Sequence, residues 1–499
     1  MVFVVDTFET DHFARAIEEF PEIKEDLKNF IYYPDTTGIS TYTYLSMATL
    51  MSGEIFPLGE GYFGGLRTTF EETDFFGKMH DKGFEVNYYT DLRFFETEYS
   101  KMIENLDSTE SSSTYEVTKS VSEQLYKLSM FKYMPHHLKK EFFIDTGSFN
   151  ETEGKAEYPV YILDDLKFND KILNEGFKKD KDKKQYNMYH LAGLHAPIRF
   201  DRNLRPARFN DDVSYNDRRY ENALGQIKIL KNFIEELKKD GLYDNTTIVY
   251  TSDHGNVNRF NTVFAVKPAN YHEEFKVSNA PISVTEDLFP FILETADGKG
   301  LEASLYKIPE NSKRERYVYN FYSNSGYSGT NNIKTTIAVN GFAGDPASYK
   351  IIKDDYTKID DSKRDYSLGK KIKFAYDDKY AKVYGFREEG WTWSNSAIME
   401  IEFDNTPKSD IVGKISVDTV IGENQRLKIK CGGEVLFEEE IHFSTEEVSF
   451  LVLTSCFDGD SLKLEFEFPD TTRNTDDIQG LEWMFYEAFQ FGGVTFNMA

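Results

Sequence analysis

The sequence predicts an α/β protein, a mostly parallel sheet with helices on both faces, followed by an antiparallel β-sandwich. Three observations predict it. Short apolar runs alternate with helical stretches from residue 1 to about 325. Two of those runs end in acids, Val2-Phe3-Val4-Val5-Asp6 and Thr246-Thr247-Ile248-Val249-Tyr250-Thr251 before Ser252-Asp253-His254-Gly255. After about residue 360, strict alternation takes over, as in Met399-Glu400-Ile401-Glu402-Phe403 and Leu462-Lys463-Leu464-Glu465-Phe466.

In chain order, the first run opens the sheet and places Asp6 at its carboxyl end, where open α/β sheets carry their ligands. A hydroxyl-rich turn, Thr37 to Thr43, then leads into the apolar helix that Gly53 closes. An oxygen at that N-terminus would lie among unpaired backbone N–H groups, a setting suited to a phosphate or a developing oxyanion. The serine-rich stretch Ser108 to Ser113 and the charged stretch Phe177 to Gln185 read as exposed loops. Apolar residues at three- and four-residue steps, from Ala223 to Leu237, predict a helix over Tyr215 to Lys239, closed at Gly241. The Thr246 run follows and delivers Asp253 and His254 to the same sheet edge as Asp6. The domain boundary is expected between Lys353 and Lys371, giving units 1–362 and 363–499.

Composition narrows the partners. The chain has 499 residues, enough for two domains, and 58 basic against 85 acidic residues give a formal net charge of −27. So acidic a chain lacks the cations that would neutralise nucleic-acid phosphates, so no nucleic-acid partner is expected. No apolar stretch approaches the roughly 20 residues of a membrane span. Cys431 and Cys456 are too few for a disulfide framework; one bridge and two inert thiols both remain open.

Asp6-Thr7 with Asp11-His12, Thr43 ahead of Gly53, and Gly241 to Thr246 leading into Ser252-Asp253-His254-Gly255 resemble the alkaline phosphatase superfamily. Within it, the pattern is most similar to the sulfatase-like, membrane-anchored phosphoglycerol and phosphoethanolamine transferases, including lipoteichoic acid synthases. Ser278 to Val284, with Asp287, Leu288 and Pro290, resembles that family's closing region.

The resemblance implies Asp6, Asp253 and His254 as ligands of one divalent cation, manganese or zinc, with magnesium or calcium as alternatives. Thr43 would be the fourth ligand and the nucleophile, since a metal can activate a weakly nucleophilic hydroxyl. Thr41 is the nearest rival, and for both the plainer role is a helix cap or turn. His195, in Gly193-Leu194-His195-Ala196-Pro197, matches a family histidine that binds the phosphoryl group or moves a proton. His190 reads better as a core residue, and Thr41, Lys267 and His272 are candidate substrate contacts, with an ordinary surface position the plainer reading of the last two.

The implied activity moves phosphoglycerol or phosphoethanolamine from a phospholipid to a glycan through a phosphothreonine. It would take place outside the cytoplasm, with membrane anchoring by a segment absent from this chain. A sulfatase needs a Cys or Ser for formylglycine, and the nearest match, Ser46-Met47-Ala48-Thr49-Leu50, has leucine at the arginine position. A two-metal phosphodiesterase needs an Asp where Leu191 stands. Hydrolysis on the same fold and a catalytically silent glycan-binding protein are the alternatives. Gly385-Phe386, Trp391 to Ser394, Gln425 and Phe466 to Pro469 resemble the β-sandwich appended to such enzymes. Trp391 and Trp393 are candidate sugar platforms, although alternation sends at least one ring into the core.

Overall fold

The structure, a computed structural model, describes residues 1–90, 102–106, 125–135, 139, 164–177, 183–207, 213–255, 260–323, 331–356, 365–374, 378–386, 390–392, 396–470, 472–473 and 486–499. The serine-rich stretch, part of the Phe177 to Gln185 stretch, Trp393 and residues 357–364 at the expected boundary lie outside these.

The strands that position the site are β1 (Val2–Val5), β2 (Ile31–Tyr32), β3 (Thr36–Thr37), β4 (Phe84–Tyr89), β5 (Lys184–Leu191), β6 (Ile248–Thr251), β7 (Phe264–Lys267) and β8 (Lys276–Val277). Seven of them form one sheet in the order β4-β5-β1-β6-β7-β2-β8, and β3 pairs outside it. Only β7 runs against the rest. The first strand is therefore central, flanked in parallel by β5 and β6, which explains its unbroken apolar run: both its faces are buried.

Helices cover both faces. Val2 and Val4 point into one core with Leu45, Met47 and Leu50 of the helix Thr43–Ser52 and Leu288 and Phe291 of the helix Val284–Ala296. Phe3 and Val5 point into the other, with Phe13 of the helix Thr10–Glu19, Phe168 of Asp165–Glu175, and Phe233 and Leu237 of Tyr215–Lys239. Strand parity thus decides which core a residue joins. Asp6 continues the Val2, Val4 face, and so faces the helix that begins at Thr43.

Beyond this layer, Arg316–Ser323, Asn331–Val339 and Tyr349–Tyr356 form a three-stranded antiparallel sheet. Two further antiparallel sheets, of four and six strands, enclose a separate core in which Ile411 and Ile415 meet Leu427 and Leu462. Their strands alternate buried and exposed, as in Ser461–Glu467. In that core the Cys431 Sγ lies 3.5 Å from the Cys456 carbonyl, and both cysteines are thiols. Burial, with Cys456 beside it, pushes the Cys431 thiol up to about 12, which makes it inert at neutral pH. Among the described residues no helix is long and apolar enough to cross a membrane.

Candidate metal centre and nucleophile

Two loops bring the acids together. After β1 the chain turns sharply at Thr7, which holds φ +55, a left-handed conformation that costs a residue with a β-branched side chain about 1–3 kcal/mol. There its N–H donates to Asp253 Oδ1 at 3.0 Å, and the N–H of Phe8 donates to Ser252 Oγ at 2.9 Å. The strain is thus tied to docking the first loop on the second. Asp253 Oδ1 also accepts the His254 N–H at 2.7 Å. Oδ2 is fully buried and, among the described residues, without a hydrogen-bond partner.

His254 is set by its own backbone neighbour. Its Nδ1 lies 2.6 Å from the Gly255 carbonyl, which requires the proton on Nδ1 and turns the Nε2 lone pair inward. That Nε2 lies 3.1 Å from Thr43 Oγ1, 3.4 Å from Asp253 Oδ2 and 3.7 Å from Asp6 Oδ1. Thr43 Oγ1 lies 3.4 Å from Asp6 Oδ2. Thr43 is the first residue of its helix, no side chain caps that N-terminus, and Gly53 ends it in the left-handed region.

Four donors therefore converge: two carboxylates, an imidazole and a hydroxyl. Burial, and after it the charge of Asp253, pushes the Asp6 carboxyl well above the usual carboxylate range. Asp6 Oδ1, like Asp253 Oδ2, is buried without a hydrogen-bond partner among the described residues. Two orphaned oxygens on facing buried acids form an arrangement that a divalent cation would neutralise, and the N/O donor set suits zinc, manganese or magnesium.

The His195 loop is fastened to the same centre. Gly193 holds φ +58, and a Cβ there would lie 2.2 Å from the Asp6 carbonyl oxygen and 2.5 Å from its nitrogen. Asp6 and the loop exchange backbone bonds, Asp6 N–H to the Leu191 carbonyl at 3.1 Å and Leu194 N–H to the Asp6 carbonyl at 2.8 Å. Asp165 accepts the N–H groups of Ala192 at 2.7 Å and Gly193 at 2.9 Å. Buried Arg219 donates to the carbonyls of Thr7 at 2.7 Å and Leu194 at 3.3 Å and pairs with Glu9. We expect Gly193→Ala to destabilise the fold by at least about 3 kcal/mol, read from the denaturation midpoint, since both the left-handed backbone and the close approach forbid a side chain.

The sulfatase family model matches residues 2–298. The chain belongs to the sulfatase family. None of the curated proteins matches it. Solved structures similar to this sulfatase-family chain include the phosphonate monoester hydrolase of Silicibacter pomeroyi, 14% identical over 70% of this chain and 91% of that one, with a TM-score of 0.40. The putative sulfatase yidJ of Bacteroides fragilis is 13% identical over 71% and 87%, with a TM-score of 0.39. The lipoteichoic acid synthase LtaP of Listeria monocytogenes is 12% identical over 68% and 84%, with a TM-score of 0.36.

Of the residues singled out in the sequence, Asp6, Thr43, Asp253 and His254 are brought together. Thr41 is not: its buried hydroxyl donates to Asn320 Oδ1 at 3.2 Å, away from the carboxylates. His195 is exposed on the fastened loop, its Nδ1 2.6 Å from the Ala196 carbonyl. Lys267, a candidate substrate contact with a surface position as its plainer reading, is buried at the opposite end of the sheet. It pairs with Ile248, the first residue of β6, because β7 runs antiparallel. There its buried ammonium donates to the carbonyls of Tyr243 at 2.5 Å, Thr246 at 2.9 Å and Asp244 at 3.2 Å. Burial lowers its pKa to about 8. His272, the other candidate, is an exposed surface residue at that end, 3.9 Å from Asp244. His12, buried, pairs with Glu9 at 3.2 Å.

On β5, Leu191 belongs to the core on the far face, and His190, fully buried, shares the face of Val4. A ring nitrogen of His190 and carboxylate oxygens of Asp6 and Asp253 all lie within 4.8 Å of one another.

Proposed function

We propose that this sulfatase-family chain is a metal-dependent transferase that moves a phosphoglycerol or phosphoethanolamine group from a phospholipid to a cell-surface glycan, outside the cytoplasm. Residues 1–362 would hold the catalytic unit and 363–499 an accessory unit that meets the glycan. The observation that carries the reading is Thr43: a hydroxyl at an uncapped helix N-terminus, within 3.4 Å of both a buried carboxylate and an inward-facing imidazole nitrogen. A threonine at that position favours a phospho-enzyme over formylglycine chemistry.

Asp6, Asp253, His254 and Thr43 would hold the cation. When bound, it would lower the hydroxyl's pKa and neutralise charge on the phosphoryl oxygens. Thr43 Oγ1, its proton released, attacks the donor's phosphorus. The bond from phosphorus to the diacylglycerol oxygen breaks, and His195 protonates that leaving oxygen. In the second half His195 takes the proton of an acceptor hydroxyl, whose oxygen attacks the phosphorus, and Oγ1 departs. The backbone N–H groups at the start of the helix stabilise the phosphoryl oxygens throughout.

The test is the fate of a head-group label. Phosphatidylglycerol labelled in its head group, incubated with the chain, manganese or zinc, and a glycan acceptor, is expected to place most of the label on the glycan. Label recovered only as free glycerol phosphate, with acceptor in excess, would identify a hydrolase.

A further inference from the structure

We infer that His190 is a further donor to the cation, so that the centre offers two imidazole nitrogens beside two carboxylates. The inference rests on the metal-dependent reading above and adds a residue that the sequence pattern assigned to the core.

The strand register makes the case. His190 stands opposite Val4, and Asp6 follows Val4 by two residues on the same face. On the other flank of β1, Thr251 also pairs with Val4, and Asp253 follows it by two. His190, Asp6 and Asp253 thus leave three adjacent strands, at one end and on one face. All three are buried, at 0%, 4% and 0% exposure. Donor atoms bound to one ion at about 2.0–2.2 Å lie roughly 3–4.4 Å from each other. The separations here, all within 4.8 Å without an ion, need only a small contraction.

The ring is also oriented as a ligand's would be. Its Nδ1 is 2.8 Å from the buried hydroxyl of Thr90, at the end of the neighbouring β4. Histidines that bind metals hold their second nitrogen on an outer hydrogen-bond partner, and the Thr90 hydroxyl can accept from Nδ1–H, the tautomer in which Nε2 carries the lone pair. The independent sign of a ligand is the pair of orphaned oxygens, Asp6 Oδ1 and Asp253 Oδ2, toward which the ring lies. The second imidazole has a consequence for selectivity. Two nitrogen donors favour zinc or cobalt over magnesium and calcium, which prefer oxygen alone.

Titration calorimetry of the full chain with zinc and with magnesium tests this. His190→Ala is expected to weaken zinc binding about 10–100-fold and magnesium binding far less. Asp253→Asn is the control for the site itself and is expected to abolish both. Zinc affinity within twofold of wild type in His190→Ala, with binding lost in Asp253→Asn, would overturn the assignment of His190 and leave the metal site standing. Unchanged binding in both variants would overturn the two readings together. Two zinc ions in the wild type, falling to one in His190→Ala, would overturn the single-ion form. Should His190→Ala fail to fold, paramagnetic proton NMR of the cobalt-loaded wild type decides the matter. Two strongly shifted imidazole N–H signals are expected, and one alone contradicts the proposal.

Discussion

Thr43→Ala is expected to take up no phosphoglyceryl group from phosphatidylglycerol, whereas the wild-type chain with manganese or zinc is expected to gain one, with intact mass as the readout. Transfer should fall by at least about a thousandfold, the scale on which removing a covalent nucleophile acts. The geometry gives this variant its meaning. Thr43 Oγ1 is the hydroxyl that lies beside Asp6 and His254. Thr41→Ala is the matched control, because its hydroxyl is spent on Asn320. It should keep the adduct and lose about 1 kcal/mol of stability, the usual contribution of one buried hydrogen bond.

The second large effect is a reversal of sign at Asp6. In the metal-free protein two buried carboxylates face one another, and Asp6→Asn removes the repulsion between them along with one buried charge, so the variant should melt at or above the wild-type temperature. With cation at about one hundred times its dissociation constant, the wild type should gain about 2.7 kcal/mol. Asp6→Asn and Asp253→Asn should gain little, and the order of melting temperatures inverts. The pH dependence has a definite sign. The folded Asp6 carboxyl sits above its unfolded value, so its stabilising contribution is present at low pH and is lost as pH rises through the folded value. Calorimetry across pH, with and without zinc, should show metal-free stability falling over that window and the cation removing the fall.

The acids were legible because a β-branched run that stops at a carboxylate is a local pattern, and parallel strands deliver such ends to one edge. Thr43 was legible through the helix it begins and the glycine that closes it. His190 was not. The end of β5 reads Tyr186-Asn187-Met188-Tyr189-His190-Leu191, and all six residues are buried. A strand covered on both faces has no alternation to reveal which residues face the site; only the register against Val4 supplies it. Lys267 misled for a related reason. It ends a strand close in sequence to the metal pair, but β7 is the reversed strand, so its end lies at the far edge. Local pattern gives strand and end; direction and register are tertiary facts.

One measurement bears most directly on the central claim, that Thr43 is a metal-activated nucleophile. Wild-type chain incubated with phosphatidylglycerol and manganese or zinc, digested and sequenced by tandem mass spectrometry, should carry its phosphodiester on the peptide containing Thr43, with fragment ions placing it on that residue, and chelation should remove it. A modification on Thr41 or Ser46, or one that forms equally well in excess chelator, would contradict the account.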